Sequence, residues 1–196
     1  AAVPSTVNAS EINYLAPFTS AVLQSVQAKL AQSPSLSDFN PACDSSTDDG
    51  PKFQALANAA MSTTGVAYIP GKLGTGKCRI STPVTISSLN GIHNTVVFYL
   101  EGGAFVSCDS SIVCFTFDGT IASGLNSSGF VGPGGKGAGV LTSFPGANTN
   151  GYLIYFNNSN RSVVAGIRMP LGLDGDNGLS NAIHGVTMTG GLITNN

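Results

Sequence analysis

Few side chains in this 196-residue chain could carry out acid–base chemistry. Beyond residue 50 the only carboxylates are Glu101, Asp109, Asp118, Asp174 and Asp176. Hydrolysis by paired acids needs two carboxylates that flank the scissile bond, whereas elimination needs a base and a group that neutralises charge. Glu101 follows a strand-like run and precedes two glycines, as a turn residue would. The residues alone therefore identify no complete catalytic site, and the sequence does not decide whether the protein is an enzyme.

One segment, LDGDNG, has side chains that suit calcium. Asp174, Asp176 and Asn177 place carboxylate and amide oxygens at nearby positions, but the remaining ligands of an EF-hand are missing. We interpret this segment as a solvated loop. His93 and His184 are far apart in the sequence, and a single imidazole without a fixed partner is more often structural. We expect no metal and no cofactor.

The four cysteines, Cys43, Cys78, Cys108 and Cys114, form no C-x-x-C pair and have no histidine partners at zinc-ligand spacing. We expect reduced thiols packed in a β core, because cysteine behaves there as a small apolar residue. A link between Cys43 and Cys78 is the most plausible exception.

The composition favours a β-rich architecture with many turns. Charged residues make up 9% of the chain, against about 25% in a typical domain, and there are 25 glycines. Eight basic and ten acidic residues are scattered, so no basic cluster indicates nucleic-acid binding. The longest apolar run, 96–100, is far shorter than the roughly 20 residues of a membrane-spanning helix.

Residues 1–33 have the periodicity of an amphipathic helix that starts near Pro17. Its apolar stripe consists of Phe18, Val22, Val26 and Leu30, with Leu23 beside it. Such a short helix has no core of its own and is marginal in water. We expect the stripe to pack on the β domain or against identical helices of neighbouring chains. Residues 34–46, rich in Ser, Asn and Pro, are predicted to be a linker.

This segment, VNASEINYLAPFTSAVLQSVQAKLA, resembles a short module of bacteriophage tail fibres and tailspikes. In that module T-A-x-E-[LI]-N-Y-L precedes G-V-T-S and a Gln-rich amphipathic tail. The sequence departs from the module where Ala16, Pro17 and Phe18 replace the Gly-Val step. The resemblance implies a neck or attachment helix that joins other phage tail proteins.

Residues 47–86 predict a second helix followed by strands. Asp48 and Asp49 are typical helix caps, and Pro51 fits a first helical turn. The helix is predicted over 49–63, before Thr64 and Gly65. Its apolar face contains Phe53, Leu56, Ala57, Ala60 and Met61. The segments VAYIP and CRISTPVTI then alternate as strands do.

The order T-D-D, short helix, then GVAYIPG resembles the start of the pectin-lyase-like fold, as phage tailspikes and polysaccharide-degrading enzymes use it. The segment KLGTGKC departs from the family pattern, so we expect a remodelled first turn. The resemblance implies a mainly β chain: a single-stranded right-handed parallel β-helix over 47–196, with a short α-helix capping its open end. Asp48 and Asp49 are then structural, and Asp174 with Asp176 would not form the acid pair, which belongs on adjacent coils.

The region 92–196 contains nine strand-like segments separated by turns rich in Gly, Asn and Ser: TVVFYL, AFVSC, IVCFTF, SGFVG, GVLTSF, YLIYF, VVAGIRM, IHGVTM and GLIT. The centres Phe98, Phe115, Phe130 and Ile154 are separated by 17, 15 and 24 residues, which indicates a solenoid period of about 20 residues. Because the sequence ends within a coil-like segment, we expect further coils beyond it.

Both resemblances together predict a virion component, a tailspike or tail fibre. It would attach to the tail through residues 1–33, form a parallel homotrimer, be assembled in the bacterial cytoplasm and present a β-helical shaft to host surface polysaccharide. One alternative is a polysaccharide depolymerase, a hydrolase or lyase whose active site lies on later coils. A second alternative is a secreted pectin-lyase-like enzyme. The residues do not identify the host or the glycan.

Overall fold

The computed structural model describes residues 13–14, 24–25, 33–87, 95–109, 111–119, 125–135, 138–143, 152–169, 183–186 and 192–193. Within these ranges the protein is mainly β, with parallel strands in stacked sheets and one α-helix. The strands are β1 (Asn13–Tyr14), β2 (Gln24–Ser25), β3 (Val66–Ile69), β4 (Cys78–Ile80), β5 (Val84–Ser87), β6 (Val97–Leu100), β7 (Phe105–Cys108), β8 (Phe115–Asp118), β9 (Leu125–Asn126), β10 (Gly129–Val131), β11 (Val140–Ser143), β12 (Ile154–Asn157), β13 (Ser159–Asn160), β14 (Val163–Ala165), β15 (Ile183–Val186) and β16 (Leu192–Ile193). A 3-10 helix, Leu36–Phe39, precedes the α-helix α1, Gly50–Ser62.

Three parallel sheets contain most of these strands. Sheet I has the order β16-β14-β10-β6-β3, sheet II β11-β7-β4 and sheet III β15-β12-β8-β5. The chain passes through sheets I, II and III in turn and then returns to sheet I, and we call one such passage a coil. The arrangement is consistent with a parallel β-helix. All nine strand-like segments predicted over 92–196 contain a strand, whereas the short parallel pair β9–β13 was not predicted.

The stacking register shows that the predicted period of about 20 residues is wrong. In sheet I, Val66 pairs with Val97, Val97 with Gly129 and Gly129 with Val163, at spacings of 31, 32 and 34 residues. The sequence-based count treated neighbouring apolar segments as successive coils, although they belong to different sheets of one coil.

The interior is filled by phenylalanine side chains that stack from coil to coil. The ring centroids of Phe98 and Phe130 are 5.0 Å apart, and so are those of Phe117 and Phe156. Phe115 meets Phe130 edge to face at 4.9 Å. All five rings are fully buried. Stacked and edge-to-face pairs are each worth about 0.5–1.5 kcal/mol beyond their burial, so these contacts favour the observed register of the coils.

Helix α1 covers the edge of the first coil. It packs against β3 and β5, which are the terminal strands of sheets I and III. The side chains predicted to form its apolar face, Phe53, Leu56, Ala57, Ala60 and Met61, are all fully buried. The Phe53 ring meets the Phe115 ring edge on at 5.8 Å. The helix thereby shields apolar interior that an open coil would expose to water.

The amino-terminal region differs from the prediction. Strands β1 and β2 pair antiparallel, with Tyr14 opposite Gln24. A continuous helix from Pro17 to residue 33 is therefore wrong at Gln24–Ser25. A short helix without a core is marginal, so strand pairing can replace it. The residues of the predicted interface, Phe18, Val22, Leu23, Val26 and Leu30, lie outside the described residues.

The predicted linker contains ordered structure at the edge of sheet I. The Tyr68 N–H donates to the Pro34 carbonyl at 3.0 Å, and Ser35 pairs parallel with Tyr68. Leu36 is fully buried in the core. Residues 34–36 therefore belong to the β domain. No helix in the described part of the chain is long and apolar enough to cross a membrane.

Candidate functional site

Asp49 holds the chain that precedes α1. It occupies the N-cap position, but its side chain makes no capping hydrogen bond, which corrects the sequence-based expectation for this residue. Its buried carboxylate instead accepts the N–H groups of Ala42 at 2.7 Å and Cys43 at 2.9 Å. Because a buried carboxylate needs hydrogen-bond donors, this pair of bonds fixes residues 42–43 against the start of the helix.

Asp48 joins α1 to the turn that follows β4. Its Oδ1 accepts the N–H groups of Gly50 and Ser81, both at 2.9 Å, and its Oδ2 accepts the Thr82 hydroxyl at 2.6 Å. Burial alone would raise the pKa of Asp48, but these hydrogen bonds, with that from the Thr82 N–H, outweigh burial and lower the pKa to about 2. Both aspartates therefore have structural contacts.

The expectation of reduced thiols is wrong. Cys43 is bonded to Cys78, the exception that the sequence suggested, and Cys108 is bonded to Cys114, which was not predicted. The Cys43 and Cys78 sulfurs lie close to the Asp49 carboxylate in a buried cluster, but the disulfide uses both sulfurs. No C-x-x-C spacing marks either bond, so the sequence pattern did not assign them.

Glu101 accepts a hydrogen bond from the preceding coil. Its Oε2 accepts the Gly71 N–H at 2.6 Å, and its carboxylate lies near the Tyr68 hydroxyl. Burial and the neighbouring Glu101 carboxylate raise the pKa of Tyr68. The Tyr68 ring also stacks on Tyr99, with centroids 5.7 Å apart. Glu101 follows β6 and precedes a turn at residues 102–103, where the sequence predicts a turn residue.

The other described carboxylates also contact polar partners. Asp109 accepts two hydrogen bonds from the Arg79 guanidinium, at 2.9 and 2.8 Å, and this pairing raises the pKa of Arg79. Asp118 accepts the Asn157 amide at 3.2 Å. Among the described residues, Glu101, Asp109 and Asp118 therefore contact different partners, and these contacts identify no pair of catalytic acids.

Of the other candidates from the sequence, one lies in a described strand. Asp174, Asp176, Asn177 and His93 lie outside the described residues. His184 lies in β15, in register with Tyr155.

The outward face of sheet III carries polar and aromatic side chains. Strands β5, β8 and β12 alternate between buried and outward positions. Thr116 pairs with Tyr155 and Asp118 with Asn157 on this face. The Tyr155 ring stacks on Tyr152, with centroids 6.4 Å apart. Hydroxyl, amide and carboxylate groups beside aromatic rings can hydrogen-bond a sugar and cover its apolar side.

A cleft of about 370 Å³ opens where the chain passes from sheet I to sheet II. Its lining consists of residues 69–76 with Cys78, Gly103 and Phe105. Most of this lining belongs to KLGTGKC, the segment in which the sequence departs from the β-helix pattern. That departure predicted only a remodelled turn, and we call the resulting space the glycine-loop cleft.

The glycine-loop cleft is held by contacts on the chain before α1. Gly74 has φ +58°, and an added Cβ would collide with the Ala42 and Cys43 carbonyl oxygens. Only glycine fits this position without a shift of the backbone. The Gly76 N–H donates to the Cys43 carbonyl at 2.7 Å, and the Lys77 N–H to the Ser45 hydroxyl at 2.9 Å.

In comparisons with known proteins, no protein-family model, no curated protein and no solved structure matches the chain.

Proposed function

We propose that the protein is a component of a phage tail, a tailspike or tail fibre, whose β-helical shaft recognises host surface polysaccharide. The observation that carries this proposal is helix α1. It follows the T-D-D sequence directly and covers the edge of stacked parallel sheets. The tailspikes that the sequence resembles use such a helix to close the first coil.

In this proposal the chain winds as a right-handed parallel β-helix and assembles as a homotrimer. Residues 1–33 connect the shaft to other tail proteins, and the protein is assembled with the virion in the bacterial cytoplasm. The outward polar and aromatic face of sheet III supports polysaccharide recognition, because Tyr152, Tyr155, Asp118 and Asn157 offer stacking and hydrogen-bonding groups together.

The two disulfides favour a second candidate function, a secreted polysaccharide-degrading enzyme. Disulfides form and persist in oxidising compartments outside the cytoplasm. The pairs Cys43–Cys78 and Cys108–Cys114 fit a secreted protein directly. A virion component would form them only after the cell has lysed.

One preparation of intact protein separates these functions. Its mass is measured by light scattering, and the same sample is incubated with host surface polysaccharide and assayed for new reducing ends and for unsaturated sugar. A trimer that binds without cleavage supports a recognition fibre, and a trimer that cleaves supports a depolymerising tailspike. A monomer that cleaves would refute the virion proposal and favour the secreted enzyme. A monomer that neither binds nor cleaves would refute both.

A further inference from the structure

The glycine-loop cleft offers backbone donors. The N–H groups of Lys72, Leu73, Gly74 and Thr75 have no hydrogen-bond partner among the described residues, although all four residues line the cleft. The ends of the same loop are fixed, since the Gly71 and Gly76 N–H groups both donate to protein oxygens. Successive backbone N–H groups in a turn can form a concave site that suits an anion.

Two lysines add positive charge at this place. Lys72 lines the cleft and is exposed. The Lys77 ammonium lies 4.5 Å from the centroid of the Phe105 ring, which is part of the cleft wall. A cation over an aromatic ring is held in place without losing its charge. No carboxylate belongs to the described lining, and the Glu101 carboxylate beside it accepts the Gly71 N–H.

The apolar part of the lining suits a sugar ring. Leu73 and Phe105 are half-buried, so each presents apolar surface to the solvent-filled space. A volume of about 370 Å³ lies at the small end of the range for ligand sites, about 300–1,000 Å³. The cleft therefore combines an apolar wall with lysine side chains and backbone N–H donors.

We propose that the glycine-loop cleft binds an anionic sugar of an acidic polysaccharide. The negative group contacts Lys72, Lys77 and the free N–H groups of the loop, and the sugar ring lies against Phe105. A uronate carboxylate and a sugar phosphate share this chemistry. That the ligand is a glycan rests on the proposed function, whereas the preference for an anion rests on the cleft alone.

Isothermal titration calorimetry of the intact protein tests the proposal with three probes. They are a hyaluronan tetrasaccharide, the same tetrasaccharide with its carboxylates converted to methyl esters, and inorganic phosphate. We expect one of the two anionic probes to bind, and the neutral ester to bind at least tenfold more weakly than its parent if the parent binds. Binding of the tetrasaccharide assigns a uronate, and binding of phosphate alone assigns a phosphorylated glycan.

Two variants are compared. The double variant carries Lys72→Gln and Lys77→Gln, and the matched control carries Lys52→Gln alone. Lys52 is exposed in the first turn of α1 and is not part of the cleft. Each cleft lysine should contribute up to about fivefold in affinity, as exposed ion pairs do, so we expect about a tenfold loss in the double variant. The control should change affinity less than twofold. Circular dichroism and the urea midpoint check that both variants remain folded.

Four results would overturn the inference. Three of them are no binding of either anion, equal binding of the ester and its parent, and an equal loss in the Lys52→Gln control. If the double variant still binds host polysaccharide as tightly as the native protein, the cleft inference fails while the proposed recognition function stands. If the native protein binds an anion but no polysaccharide, the proposed function fails and the anion site remains.

Discussion

Removal of each disulfide should destabilise the protein by an amount that depends on the loop it closes. Cys43–Cys78 spans 35 residues, and Cys108–Cys114 spans 6. In the chain-entropy treatment, a crosslink restricts the unfolded chain more as the loop lengthens, which gives about 4 kcal/mol for the first bond and about 2 kcal/mol for the second. All four sulfurs are in buried residues, so the loss of packing on replacement by alanine is similar in both cases.

The assay compares Cys43→Ala with Cys78→Ala, and Cys108→Ala with Cys114→Ala, each as a double variant against the native protein. Urea unfolding is followed by circular dichroism and by tyrosine fluorescence, since the chain has five tyrosines and no tryptophan. We expect the first variant to lose about 2 kcal/mol more free energy of unfolding than the second. An equal loss, or a larger loss in the second variant, would refute the loop-length reasoning. Four titratable thiols in the native protein would refute the disulfides themselves.

Three further substitutions test the cap and the stacking. Asp48→Asn should make the free energy of unfolding less dependent on pH between about 4 and 2. The pKa of Asp48 is about 2 in the folded protein, below its ordinary value of 3.8, so its stabilising contribution is present above pH 4 and is lost as the pH falls. Acid unfolding curves of the variant and the native protein measure this difference. Phe53→Ala should cost about 3–5 kcal/mol in urea unfolding, since it leaves a cavity against Phe115; a loss below about 1 kcal/mol would contradict the closing role of α1. Gly129→Ala should unfold at clearly lower urea than the native protein, because Gly129 has φ +144° and an added Cβ would collide with the Val163 carbonyl; an unchanged midpoint would contradict the stacking of β10 on β14.

The first coil could be predicted from the sequence because its signals are local. Asp48, Asp49 and Pro51 mark the start of a helix, and the structure has α1 at Gly50–Ser62 against a predicted range of 49–63. The strand β3 at Val66–Ile69 follows from alternation and from the proline that stops it. These features depend on residues within a few positions of one another, where propensity and capping are informative.

The coil period could not be found in the same way because it is a non-local property. Phe98 and Phe115 are similar apolar centres in sequence, yet they lie in different sheets of one coil, whereas Phe98 stacks on Phe130. Turns of unequal length separate the strands, so the spacing in sheet III rises to 39 residues between Phe115 and Ile154. Lengthening a turn costs little free energy, so turn length does not set the register. Strand pairing between coils fixes it.

The candidate site also depends on non-local contacts, and these contacts join the glycine-loop cleft to the helix that caps the first coil. The departure KLGTGKC indicated a remodelled turn, but the shape of that turn depends on contacts with residues about 30 positions earlier in the chain. Asp49 holds Cys43, Cys43 is bonded to Cys78, and the loop carrying Gly74 packs on the Ala42 and Cys43 carbonyls. The last two contacts join the chain before α1 to the segment that follows β3. One short segment therefore both supports the helix that closes the first coil and shapes the cleft beside it. The stability of the cap and the geometry of the glycine-loop cleft thus depend on the same contacts.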